Sequence, residues 1–74
     1  MLLSNPPELT RLREEAGHTQ ASLGRESGVA QSHISKLERN VLEIRPTTAK
    51  RLADAIGAKV TDITTSVAAE EVAS

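Results

Sequence analysis

The sequence predicts an all-α fold of four to five short helices in one domain. Two observations carry this prediction. Apolar residues recur at three- and four-residue steps, and no stretch alternates cleanly between apolar and polar. Residues that start or stop helices punctuate these segments at short intervals: Asn5-Pro6, Gly17, Thr19, Gly28, Asn40, Thr47 and Gly57.

The first helix is expected at about residues 6–16. Asn5 is a good N-cap, Pro6 suits the first turn, and Glu8 completes an Asn-x-x-Glu capping pattern. Leu9, Leu12 and Ala16 form its apolar stripe, and Gly17 supplies a left-handed stop. The second helix is expected at Gln20–Ser27, capped by Thr19 and closed by Gly28. Gly24 lies inside it and costs about 1 kcal/mol relative to alanine, which implies that another backbone packs closely there. The third helix is expected at Gln31–Arg39, with Ile34 and Leu37 inward and Asn40 ending it in the left-handed conformation. Residues 41–45 form a loop in which Leu42 and Ile44 alternate with Glu43, so a short extended piece fits. The fourth helix is expected at about residues 48–56, with Thr47 as cap and Leu52, Ala53 and Ile56 inward. A short fifth helix near residues 60–64 would bury Val60 and Ile63. The domain is thus placed at residues 1–64. Residues 65–74 form a C-terminal tail, flexible or shortly helical.

The chain has 74 residues and no cysteine, so it has neither a disulfide framework nor a thiolate metal site. His18 and His33 have no acidic ligand pattern around them, and no cofactor is expected. No run of 18 or more apolar residues exists to span a membrane. Met1-Leu2-Leu3 lacks a basic flank and stops at Ser4-Asn5-Pro6-Pro7, unlike a signal peptide, so a cytoplasmic location is expected. There is no phosphate loop and no nucleophile–base pair at useful spacing, so an enzyme is not expected.

The net charge is −1 and aromatic residues are absent. Base stacking on aromatic side chains is thereby excluded, and with it the usual single-strand and RNA modes. Distribution matters more than the total. From Gln31 to Arg51, five basic residues (Lys36, Arg39, Arg45, Lys50, Arg51) stand against two acidic ones, Glu38 and Glu43. One sub-surface can be basic on a nearly neutral chain.

The informative segment is Gln20 to Arg39, QASLGRESGVAQSHISKLER. Two short helices are separated by Gly28-Val29-Ala30. Helices crossing that tightly need a small residue at the contact (Gly24), tolerance of positive φ at the turn (Gly28), an apolar residue inside the elbow (Val29) and apolar anchors on both helices (Leu23, Ile34, Leu37). This is the helix-turn-helix arrangement.

The chain resembles the Cro and C1-repressor family of helix-turn-helix domains, also called the xenobiotic-response-element family, with a lambda-repressor-like fold. The resemblance spans roughly residues 8–63. It rests on Gln20, Leu23, Gly28-Val29, the run Ile34-Ser35-x-Leu37-Glu38-Arg39, and Leu52-Ala53-x-x-Ile56-Gly57. The chain departs from the family at Gly24, where alanine is usual, at Ala30, where a capping serine or threonine is common, and at Asn40, where glycine is usual. The loop before Pro46 is slightly long.

The resemblance implies that the third helix enters the major groove of double-stranded DNA. Gln31, Ser32 and Lys36 would then face base edges. Glutamine can bond adenine twice, lysine the guanine O6/N7 edge, and serine several edges. Taken alone, these residues and His33 read as a solvated helix face. By similarity Gln20 would contact a phosphate and brace Gln31, and His33, Arg39, Asn40 and Arg45 are phosphate candidates. The family pattern also implies an ion pair between Arg13 and Glu38. A homodimer on DNA is expected, with Leu2, Leu3, Val60, Ile63, Val67 and Val72 as interface candidates. Three functions fit: a regulator of the phage-repressor, Cro-like or small-operon type; an antitoxin that binds a toxin and its own promoter; and a protein-binding adaptor on the same fold.

Overall fold

Each of five helices delivers a fully buried aliphatic side chain to one core. The computed structural model describes residues 1–67. It contains β1 (Leu2–Ser4), α1 (Pro6–Glu15), α2 (Gln20–Ser27), α3 (Gln31–Arg39), α4 (Pro46–Ile56), α5 (Val60–Ile63) and β2 (Thr64–Ser66). Leu9 of α1, Leu23 of α2, Ile34 and Leu37 of α3, Leu52 of α4 and Ile63 of α5 are all without solvent exposure. Val29, Ile44, Ala49 and Ala53 complete the core. α3 packs on α1 and α2, and α4 on α2 and α5. No helix among the described residues is long and apolar enough to cross a membrane.

The turn between α2 and α3 forms as its residue types require. Gly28 adopts φ +75° and ends α2. The buried Ser27 hydroxyl donates to the Leu23 carbonyl at 2.6 Å and accepts the Val29 N–H at 3.2 Å, so the elbow leaves neither group orphaned. At the other end Thr19 Oγ1 accepts the Ser22 N–H at 3.0 Å, and Ser22 Oγ accepts the Thr19 N–H at 2.9 Å. This is a capping box closed by serine rather than glutamate.

Five expectations about the helix ends need correction. Asn5 makes no side-chain cap, because its N–H is held by the Ile63 carbonyl at 3.0 Å and its backbone sits at φ −113°, ψ 89°. Glu8, freed from the cap, pairs with Arg11 at 2.7 Å. Ala16 lies beyond α1 and is exposed, so the buried apolar part of that helix is Leu9, with Leu12 partly buried. α4 starts at Pro46 with Arg45 as N-cap, two residues before the expected start, since proline already fits the first turn. Asn40 is extended, at φ −135°, ψ 147°, rather than left-handed.

The Asn40 backbone is extended because β1 draws it out. The buried Ser4 hydroxyl donates to the Asn40 carbonyl at 2.9 Å and accepts the Leu42 N–H at 3.0 Å. The Ser4 N–H donates to Leu42 O at 2.7 Å, and the Ile44 N–H to Leu2 O at 2.9 Å. The extended piece anticipated at residues 42–44 is thus one edge of a small ribbon, bridged at Leu3–Glu43. On its other side β1 pairs antiparallel with β2, Leu2 opposite Ser66 and Ser4 opposite Thr64. Thr65 and Ser66, expected in a tail, therefore belong to this ribbon. Of the interface candidates, Ile63 is wholly within the core and Leu2 and Val60 pack against it. Val72 and the rest of the proposed C-terminal helical turn lie outside the described residues.

The elbow rests on a backbone contact at Gly24. A Cβ there would lie 3.0 Å from the Val29 carbonyl oxygen and 3.5 Å from the Gln31 nitrogen. Gly24→Ala is expected to change stability by less than about 1 kcal/mol, because the gain in helix propensity offsets the tight contact. Gly24→Val is expected to cost more than about 2 kcal/mol, since its γ-carbons meet backbone that cannot retreat. Urea denaturation of both variants checks the pair; equal stability would show that the approach is not close.

Candidate nucleic-acid interface

α3 is held from one side and free on the other. Ile34 and Leu37 are buried, whereas Gln31, Ser32, His33, Lys36 and Arg39 are exposed. At 3.6 residues per turn, Gln31, Ser32, Lys36 and Arg39 share an arc of roughly 140°. Ser35, half-buried, falls inside the same arc and was not singled out from the sequence. A helical projection was the signal that marks it. His33 lies on the flank of this arc. Ala30 supplies no side-chain cap to α3; its carbonyl accepts the His33 and Ile34 N–H groups, each at 3.0 Å.

Asn40 and Arg45 follow α3 on the exposed surface. The Asn40 amide donates back to the Lys36 carbonyl at 3.3 Å. Arg45 stands at the start of α4, positioned by the Ile44 bond to β1. Lys36, Arg39 and Arg45 form no ion pair among the described residues, whereas Arg11 and Lys50 are tied to acids on their own helices. Lys36 and Arg39 on α3 and Arg45 at the start of α4 are thus cations outside these ion pairs, with the exposed Glu43 as the acid between Arg39 and Arg45.

The rear of α3 is fixed by charge. Arg13 Nε donates to Glu38 Oε2 at 2.6 Å and Arg13 Nη2 to Oε1 at 3.0 Å, a bidentate pair between α1 and α3. The two side chains are 11% and 4% exposed. Arg13 Nη1 also donates to the His18 carbonyl at 2.8 Å, which ties the α1–α2 turn to the same guanidinium. Burial alone pushes the Glu38 carboxyl up. Hydrogen bonds from Arg13 and Gln20, together with the Arg13 charge, outweigh it and hold the group below its ordinary range. The hydrogen bond to Glu38 raises the Arg13 pKa, against the effect of burial. Among the described residues no buried side-chain nitrogen or oxygen lacks a partner.

Gln20 is engaged with α3 at a place other than Gln31. Its Nε2 donates to Glu38 Oε1 at 3.1 Å rather than bracing Gln31. Gln31 instead lines a shallow open groove of about 480 Å³ along the elbow, with Ala21, Gly24, Arg25, Gly28, Val29 and Ala30. That lining carries no acid–base pair. Among the described residues no group of three or more histidine, cysteine, aspartate or glutamate side chains is placed to hold a metal.

Residues 9–63 match a family model described as helix-turn-helix, and the chain belongs to this family. The fold and this membership define a DNA-binding regulatory domain. A solved structure with the same fold is that of a hypothetical transcription factor, NHTF, from Neisseria. It is 20% identical, the match covers 81% of this chain and 76% of that one, and the TM-score is 0.67. No protein of curated function matches the sequence.

Because Glu38 titrates below its ordinary range when folded, its contribution to stability is present above pH 4.5 and lost as pH falls below that value. Glu38→Gln is expected to cost about 3 kcal/mol at neutral pH, because it leaves the buried Arg13 charge uncompensated. The variant should also lose part of the acid dependence below pH 4.5. Denaturant midpoints of both proteins across the acid range test this; parallel pH profiles with less than about 0.5 kcal/mol between them would mean that the pair is solvated.

Proposed function

We propose that the chain is a sequence-specific regulator of transcription that places α3 in the major groove of double-stranded DNA. The observation that carries this reading is the division of α3: its rear is anchored by Ile34, Leu37 and the Arg13–Glu38 pair, and its outward polar face has no role in the fold. In this reading Gln31, Ser32 and Lys36 contact base edges. Gln20, His33, Arg39, Asn40 and Arg45 contact phosphates. The regulator is in this reading cytoplasmic and of the phage-repressor, Cro-like or small-operon type. Selection of bound fragments from genomic DNA is the direct test. Retention of a partner protein with no duplex bound at low salt would favour the adaptor function instead.

Reading and holding are separable by mutation. Lys36→Ala and Gln31→Ala are expected to weaken the selected site by about 1–3 kcal/mol and random duplex by less. Arg45→Ala is expected to weaken both nearly equally and to lower the salt slope by about one unit. Titrations at several salt concentrations distinguish the two. Equal losses on both duplexes for Lys36→Ala and Gln31→Ala would remove α3 as the reading element.

One recognition helix spans too few base pairs for a unique address, and half-sites about 34 Å apart are the usual remedy, so we take the bound form to be a homodimer. Val41 and Leu42, 63% and 37% exposed directly after α3, support a contact to a second copy beside the DNA. Val41→Ser, which removes apolar surface without adding charge, is expected to weaken binding to a paired-half-site duplex and to leave a single half-site unaffected. Sedimentation showing one monomer on a site without dyad symmetry would end the dimer proposal.

A further inference from the structure

Gln20 opens α2 where α1, α2 and the end of α3 converge. Its side chain makes one hydrogen bond among the described residues, from Nε2 to Glu38 Oε1. That oxygen also accepts Arg13 Nη2, and the other carboxylate oxygen accepts Arg13 Nε. An ionised carboxylate only accepts hydrogen bonds. Gln20 is therefore obliged to turn its NH₂ group, and not its carbonyl oxygen, toward Glu38. A glutamine without such a partner presents either end of its amide equally well.

The amide nitrogen carries a second N–H, and Gln20 is only half-buried. A bare carboxylate beside a phosphodiester would repel it, but the charge of this one is offset by the Arg13 guanidinium bonded to both its oxygens. We propose that Glu38 is a positioning residue for DNA binding: it locks the Gln20 amide so that the second N–H of Nε2 is presented to a backbone phosphate oxygen. The inference rests on the DNA-binding reading and deepens it. Glu38 thus acts on the ligand through Gln20, as well as on the fold through Arg13.

A neutral donor displaces no counterion, so its signature differs from that of an arginine. On a mixed-sequence duplex, Gln20→Ala is expected to weaken binding roughly three- to tenfold, the range of one hydrogen bond. The salt slope is expected to stay unchanged. Glu38→Gln is expected to weaken binding by more, because it also loosens the hold of Arg13 on α3. The part of its loss that runs through Gln20 should disappear in the double variant with Gln20→Ala, so that the two losses combine to less than their sum. Thermal melts in the binding buffer verify that each variant is folded. Because Glu38→Gln removes a buried charge, NMR of the wild-type protein supplies a mutation-free reading. One Gln20 side-chain proton should be displaced from the free-glutamine position and move as Glu38 titrates, and the other should move when duplex is added. Wild-type affinity in Gln20→Ala, strictly additive losses, or Gln20 protons that ignore the duplex would each overturn the inference while the DNA-binding reading stands. A wild-type protein that binds no duplex at low salt removes both.

Discussion

The bidentate pair between Arg13 and Glu38 is the interaction on which the rest of this small domain depends. It bridges helices that are remote in sequence, and its two charges are almost wholly withdrawn from solvent. Such a pair adds little net stability when compared with apolar packing, but it is very unforgiving of misalignment. An aliphatic contact tolerates sliding, whereas two parallel N–H···O bonds admit one rotation and one depth. The pair thus sets where α3 lies on the core, after which Ile34 and Leu37 fill the space beneath it. The same guanidinium holds the His18 carbonyl, so the entry to α2 is positioned by the same charge.

The helices were legible from sequence where local chemistry and tertiary demand coincide. α2 and α3 have the expected bounds because Thr19, Gly28 and the periodic Leu23, Ile34 and Leu37 all act within one or two turns. The ends of α1 and α4 were less legible. Asn5 has the right side chain for a cap, yet the bond its N–H donates to the Ile63 carbonyl fixes its backbone elsewhere. The ribbon was not legible at all beyond the alternation at residues 42–44. Its strands are three residues long, one reads Thr-Thr-Ser, and the partners lie at opposite ends of the described chain. Periodicity cannot register pairing of that kind.

The candidate site divides in the same manner. That Gln31, Ser32 and Lys36 face outward follows from helical spacing against Ile34 and Leu37. The orientation of Gln20 does not follow from spacing, because it is decided by an acceptor eighteen residues away. Ser4 is a further case. A serine near the start of a chain looks like loop, but its hydroxyl terminates α3 by holding Asn40 and Leu42. Nothing in the local sequence marks that role.

At its closest point the approach of α2 to the following turn is made by backbone, Gly24 against the Val29 carbonyl, while the side chains that pack the two helices together, Leu23, Val29, Ile34 and Leu37, all lie on the buried side. The angle between the two helices is therefore independent of what the outward residues of α3 happen to be. Gln31, Ser32 and Lys36 can be exchanged without re-engineering their support. A lineage built on this frame can drift to a new target by a few substitutions, and each intermediate keeps its thermodynamic footing.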